Sequence, residues 1–220
     1  MDARARTVAA LAVAAILVAG CSRPDGWAEP RVAPTGVGAL GAGFLDPSAP
    51  PSPEATLAPE PGSWSDVHPA PGYRVVLLTA GDDAPTTTLV RSVQDWADEE
   101  RVALKEVVVD DGDYVGGITS AMSMHPDLII SVGDALVDPL AVVTANHLDE
   151  QFLVLGAEVA EPTHNVTAVD WTGASFRGEG LGTSSTYDAG SFTPERGASA
   201  VRAGAAAVLT GVSGVVLWID

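Results

Sequence analysis

Acidic residues recur at one kind of position in the chain, directly after apolar, β-branched runs that predict buried strands. Carboxylates accept hydrogen bonds from hydroxyl groups, glycine lets a ligand approach the backbone closely, and an indole ring offers a face for stacking. Asp is also a common helix N-cap and turn residue, so the alternative role of these carboxylates is to end strands and begin helices. We predict a small-molecule site composed of Asp82, Asp83, Gly133, Asp134, Asp170 and Trp171.

Residues that could support catalysis or metal binding lack the spacing that such sites need. The four histidines contain no His-x-x-x-His pair, and a single cysteine excludes a cysteine-cluster metal site and an internal disulfide. No nucleophile elbow, phosphate-binding loop or dinucleotide-binding glycine motif follows a predicted strand. We therefore predict a non-catalytic chain with no cofactor and no metal site. A divalent cation held by the strand-end carboxylates is the alternative that the residues leave open.

The first residues have the layout of an export signal. Arg4 and Arg6 precede an apolar run from Val8 to Val18, which is too short to cross a hydrocarbon layer that takes about 20 helical residues. Val18-Ala19-Gly20-Cys21 looks like a bacterial lipobox, which predicts that residues 1–20 are removed and that the thiol of Cys21 is acylated. The alternative is an ordinary secretory signal with an incidental cysteine. Lipidation would place the chain on the extracytoplasmic face of the cell membrane, held by its lipid anchor.

The segment from 21 to 72 has the composition of a spacer. Of the 16 prolines in the chain, 11 lie at or before Pro71, and no helical or strand period runs through this part. Proline-rich sequence favours extended, semi-rigid conformers, so we predict a tether that lifts a domain off the membrane. Trp27, Phe44 and Trp64 are predicted to be solvated, the alternative being that they dock on the domain.

Residues 73–220 alternate between apolar runs and amphipathic segments. The runs predict six strands, of which Tyr73–Ala80, 127–132 and Phe152–Leu155 are apolar on both faces. Such strands, separated by helices, are typical of a parallel sheet covered on both sides. We therefore predict a single α/β domain with a doubly wound parallel sheet. Ligands of such sheets bind beyond the carboxyl ends of the strands, where the predicted site residues lie.

The charge excludes one class of partner. The formal net charge is -18, from 29 Asp and Glu against 11 Lys and Arg. Nucleic acids are bound through basic surfaces that displace phosphate counterions. We therefore predict no nucleic-acid partner.

The central segment carries a resemblance to a known family. Pro126-Asp-Leu-Ile-Ile-Ser-Val-Gly-Asp134, the helix after it, Gln151-Phe-Leu-Val-Leu-Gly156 and Asn165-Val-Thr-Ala-Val-Asp-Trp171 follow one another in order, and Phe176-Arg-Gly-Glu179 comes next. This order resembles the basic membrane protein family of lipoproteins, the Med-like or PnrA-like substrate-binding proteins of ABC transporters. The likeness covers about residues 73 to 182.

The resemblance implies a fold and a function. The fold is a Rossmann-like periplasmic-binding-protein type I fold, whose two lobes close on a purine nucleoside or a similar small solute delivered to an ABC permease. Pro85-Thr86 stands where the family has an aromatic, and after Glu179 the chain passes almost directly to a last helix and strand. We therefore expect one lobe, with solute binding weakened or lost unless a homodimer or another partner supplies the second wall. The alternative function is a non-catalytic scaffold or sensor that acts through a protein partner.

Overall fold

The computed structural model describes residues 26–27, 31–32, 34–46, 48–110 and 112–220. The predicted signal segment and the predicted lipidation site, Cys21, lie outside these residues. No helix in the described part is both long and apolar enough to cross a membrane.

The described part of the chain is built around one parallel sheet with helices on both faces. Every strand pairing in the sheet is parallel, which confirms the predicted doubly wound α/β fold. In chain order the elements are β1 (Thr56–Leu57), β2 (Arg74–Thr79), α1 (Ala84–Glu100), β3 (Ala103–Val108), α2 (Tyr114–Ser123), β4 (Leu128–Val132), α3 (Val137–Thr144), β5 (Phe152–Leu155), β6 (Val166–Asp170), α4 (Pro194–Leu209) and β7 (Val216–Trp218).

The buried strands feed two cores because neighbouring side chains of a strand point to opposite faces. In β2, Val75 and Leu77 join a core that includes Leu89 of α1, whereas Val76 and Leu78 join the core on the other face. The first core lies beneath α1 and α4, and the second lies beneath α2 and α3. This division explains why the strands are apolar on both faces and why no two-residue alternation was visible in the sequence.

The order of the strands sets where loops meet. The sheet order is β1-β7-β6-β5-β4-β2-β3, so the chain adds β3 on one side of β2 and then crosses to add β4 on the other. All strands run in the same direction, which gives the sheet an amino edge, where strands begin, and a carboxyl edge, where they end. The crossing creates a topological switch point at the carboxyl edge between β2 and β4, a place where such sheets bind ligands.

The predicted tether packs on the domain at several points. We call residues 34–46 and 48–72 the N-terminal strap. The strap contributes β1, which pairs with β7, and its Phe44 and Trp64 belong to the core beneath α1 and α4. The prediction that Trp27, Phe44 and Trp64 are solvated is wrong, since their exposed fractions are 7%, 2% and 8%. Large aromatic side chains gain enough from burial to dock without a periodic pattern around them. The boundary at residue 72 stays a prediction.

Candidate functional site

A cavity of about 290 Å³ opens at the carboxyl edge of the sheet, over the switch point. Its walls come from the loops that follow β2, β4, β5 and β6. The lining residues are Asp83, Pro85, Thr86, Gly133, Asp134, Gly156, Ala174, Ser175, Phe176, Tyr187 and Phe192. Three of the six residues predicted from the sequence, Asp83, Gly133 and Asp134, are therefore brought together here.

Asp83 has a structural role as well as a place in the cavity wall. It is the N-cap of α1, and its carboxylate accepts hydrogen bonds from the Thr86 backbone N–H (2.8 Å) and the Thr86 hydroxyl (3.1 Å). Pro85 follows in the first turn, where its missing N–H costs nothing. The N-cap role that the sequence left as the alternative is thus confirmed for Asp83, while each oxygen keeps acceptor capacity.

Two glycines shape the floor of the cavity. Gly133 and Gly156 follow β4 and β5 with φ of 77° and 82°, a left-handed conformation that other residues adopt at a cost. A Cβ on Gly133 would lie 3.1 Å from the hydroxyl oxygen of Thr86. A Cβ on Gly156 would lie 2.9 Å from a ring carbon of Phe192 and 2.9 Å from a methyl carbon of Leu89. Backbone conformation and close approach both favour glycine at these two positions. Gly133 was predicted as a site residue from the sequence, whereas Gly156 was not.

Three aromatic side chains that the sequence analysis missed form one wall. Phe176, Tyr187 and Phe192 come from the loop between β6 and α4, and the rings of Tyr187 and Phe192 lie 6.1 Å apart at 49°. Phe176 belonged to the family resemblance, but nothing periodic marks Tyr187 and Phe192 within a loop of small residues. Phe176, Tyr187 and Phe192 therefore give the cavity an aromatic wall, whereas Pro85 and Thr86 contribute no ring.

Asp134 and Asp82 differ in their relation to the cavity. Asp134 lies in its wall and is exposed, so its carboxylate can face a bound solute. Asp82 is exposed beside the start of α1, where its carbonyl oxygen accepts a hydrogen bond from Thr87, and it is not among the lining residues.

Partial burial raises the pKa of Tyr187, and the negative charges of Asp83, Asp134 and Asp188 add to this effect. The electrostatic potential at this wall of the cavity is therefore negative.

Asp170 and Trp171 lie behind the aromatic wall instead of within it. Both are fully buried, and the Trp171 ring packs edge-on against Phe192 with 5.1 Å between centroids. The Trp171 indole N–H donates to the hydroxyl of Ser191 (3.0 Å), and the Asp170 carboxylate accepts from the hydroxyl of Ser184 (2.8 Å). These contacts anchor the loop that carries the aromatic wall. In this structure Trp171 presents no open face to a ligand, which differs from the predicted stacking role.

A second buried carboxyl group lies beside Asp170. Glu158 has an exposed fraction of 6% and is paired with Arg177, whose Nε lies 2.6 Å from Glu158 Oε2. Burial raises the pKa of Asp170 to about 7, opposed by its hydrogen bonds from Ser184 and the Trp171 backbone, while Glu158 raises it further. The loop after β6 is thus held by a group that changes charge near neutral pH.

The sequence left a divalent cation at the strand-end carboxylates as an alternative. Among the residues that the structure describes, no three His, Cys, Asp or Glu side chains are grouped closely enough to hold a metal ion.

Comparisons with known proteins find similar structures but no family. No family model matches the sequence, and no curated protein matches it. A fragment from Peptoclostridium difficile 630, provisionally named a lipoprotein, is 18% identical with a TM-score of 0.46, covering 62% of this chain and 98% of its own. A solute-binding protein of an ABC transporter system from Aeropyrum pernix K1 is 19% identical with a TM-score of 0.42, covering 46% of this chain and 29% of its own. The resemblance to the basic membrane protein family stays a prediction.

Proposed function

We propose that this protein is a lipid-anchored, extracytoplasmic domain of the solute-binding type, which binds a small solute in the cavity at the carboxyl edge of the sheet. The observation that carries the proposal is the meeting of Asp83, Gly133 and Asp134 with an aromatic wall at the switch point of the sheet. Apolar walls combined with a few convergent polar groups are typical of small-molecule sites. The partner of such a domain would be an ABC permease.

The chemistry of the cavity favours a nucleoside-like solute. Tyr187 is 56% exposed, so its ring can stack on a planar base, while Asp134 can accept hydrogen bonds from sugar hydroxyls. Gly133 leaves backbone room for the solute at the end of β4. A purine nucleoside combines a planar ring with vicinal hydroxyls and is the solute that we propose.

We propose that binding is weak in the isolated domain. The cavity is at the small end of the range for ligand sites and is walled by one α/β unit. A ligand that keeps much of its surface in water gains little from burial, so we expect a Kd on the order of 0.1 mM or weaker. A homodimer or a partner that covers the cavity would tighten binding.

The test is calorimetric titration of the chain lacking residues 1–20 with adenosine, inosine and guanosine. We expect Asp134→Asn to weaken binding at least about threefold, because a neutral amide is a poorer acceptor for hydroxyl groups. Asp149→Asn is the matched control, since Asp149 is exposed at the opposite edge of the sheet. The nucleoside should be recovered unchanged, because we propose no catalytic role.

Two results would contradict the proposal. Equal affinities of the wild type and Asp134→Asn would place the solute elsewhere. No heat change with any nucleoside, even at millimolar concentration, would remove solute binding and favour the alternative of a scaffold or sensor that acts through a protein partner.

A further inference from the structure

The amino edge of the sheet holds the beginning of the described chain. Arg74, the first residue of β2, donates hydrogen bonds to the carbonyl oxygens of Gly26 (2.6 Å) and Trp27 (2.8 Å). Its guanidinium lies 5.6 Å from the centroid of the Trp27 ring, and the Lys105 ammonium of β3 lies 4.5 Å from it. Trp27 also belongs to the core beneath α2 and α3. The chain is therefore fastened to the domain at residues 26 and 27.

A second contact fastens the same region. Arg31 forms an ion pair with Asp127, which directly precedes β4 and also accepts a hydrogen bond from the Arg74 backbone N–H. Both contacts lie where β2, β3 and β4 begin. The cavity lies where β2, β4, β5 and β6 end, at the opposite, carboxyl edge of the sheet.

The distance from this attachment to the predicted lipid is short. Five residues lead from Cys21 to Gly26, and a fully extended chain of that length spans at most about 18 Å. Strands of five or six residues make the sheet itself roughly 20 Å long. A lipid on Cys21 would therefore hold the amino edge next to the bilayer. A spacer of this length limits the distance of the amino edge from the bilayer but leaves the domain free to tilt.

One corner of the amino edge carries basic side chains. Arg31, Arg74, Arg101 and Lys105 lie around the starts of β2 and β3, and we call these four residues the basic corner. Of the carboxylates at this edge, Asp127 is paired with Arg31, and Glu99 and Glu100 are paired with Arg202. Asp98, Asp149 and Glu150 lie at the same edge, so the basic charge is confined to this corner. The loops of the carboxyl edge, by contrast, carry Asp82, Asp83, Asp110, Asp134 and Asp188. Basic side chains close to a membrane are attracted to anionic headgroups, whereas carboxylates are repelled.

We propose that the basic corner is a membrane-contact surface, which rests against anionic headgroups beside the lipid anchor and keeps the cavity facing away from the bilayer. The proposal rests on the lipidation of Cys21 in the proposed function, but not on solute binding. In this arrangement a short spacer before Gly26, and not a long flexible tether, connects the lipid to the domain, and the domain has one preferred orientation on the membrane.

The test is energy transfer from a labelled domain to acceptor lipids. The full chain, made as a lipoprotein, is reconstituted in vesicles of phosphatidylcholine mixed with phosphatidylglycerol. Acylated Cys21 leaves an introduced cysteine as the only thiol, so Ser123→Cys can be labelled at the amino edge and Thr186→Cys at the carboxyl edge, where both residues are exposed. We expect energy transfer from the label at Thr186→Cys to be lower than that from the label at Ser123→Cys by about twofold or more, because the length of the sheet separates the two labels.

Changes to the basic corner test its part in the orientation. The double change Arg101→Gln and Lys105→Gln should raise transfer from Thr186→Cys towards that of Ser123→Cys, while the amount of protein in the vesicles stays the same. Arg91→Gln is the matched control, because Arg91 is exposed in the middle of α1 and away from the amino edge. Vesicles of pure phosphatidylcholine should have the same effect as the double change.

Each contrary result has a distinct meaning. Equal transfer from the two labels in the wild type would overturn the fixed orientation. An orientation that survives both the double change and neutral vesicles would overturn the role of the basic corner. Absence of the chain from the membrane fraction would remove the anchor and this proposal with it, whereas the calorimetric titration of the soluble chain would still report on the cavity.

Discussion

Asp170 is a buried residue that holds the loop carrying the aromatic wall of the cavity. Its carboxyl group ends β6, is fully buried, and holds Ser184 at the base of the loop with Tyr187 and Phe192. Burial raises the pKa of this group from 3.8 to about 7. Because the folded state holds the proton more tightly than the unfolded chain, the contribution of Asp170 to stability is full below its ordinary pKa. It is lost as the pH rises through about 7.

This linkage predicts a pH dependence that one substitution should remove. Between about pH 5 and about pH 8 the free energy of unfolding should fall more steeply in the wild type than in Asp170→Asn, by no more than about 3 kcal/mol. Asparagine keeps an acceptor for Ser184 but carries no titrating proton. Denaturant titrations over this range measure the difference, with Asp98→Asn, exposed near the end of α1, as a control that should keep the wild-type slope. Parallel curves for the wild type and Asp170→Asn would show that Asp170 does not titrate as described.

At the scale of elements, the N-terminal strap packs on the sheet domain through a few large side chains. Phe44 is 2% exposed and meets Trp64 edge-on at 6.5 Å, whereas Val32 is 93% exposed. We expect Phe44→Ala to lower the free energy of unfolding by about 3–5 kcal/mol, and Val32→Ala to change it by less than about 0.5 kcal/mol. Denaturant unfolding of both variants measures this. A Phe44→Ala variant as stable as Val32→Ala would mean that the strap does not unfold with the sheet.

The whole molecule carries a large excess of negative charge, which should oppose compactness. With a formal net charge of -18, repulsion among carboxylates is stronger in the folded chain than in the expanded one. Salt screens exposed charges over about 10 Å at 0.1 M ionic strength. We therefore expect the Tm to rise by a few degrees when sodium chloride is raised from about 10 mM to about 300 mM. A Tm that falls would mean that ion pairs such as Arg177 with Glu158 outweigh the repulsion.

Much of the architecture could be predicted because it depends on local patterns. The six strands from β2 to β7 and the four helices between them follow from apolar runs and amphipathic segments, each of which is visible within a short window. Asp83 and Gly133 were found for a similar reason, since a residue directly after a buried strand must lie at the carboxyl edge. β1 escaped prediction because two residues in a proline-rich segment have no period to detect.

The chain's own sequence thus determined a parallel α/β sheet, the edge at which the cavity opens and three of the residues that line it. Only the tertiary structure decided which side chains face the cavity. Trp171 and Phe192 are both aromatic and near strand or helix ends, yet Phe192 lines the cavity while Trp171 packs behind it. The tertiary structure also decided that Trp27 and Phe44 pack on the domain. Burial of such isolated side chains depends on partners many residues away in the sequence, and the spacing of neighbouring residues gives no information about those partners.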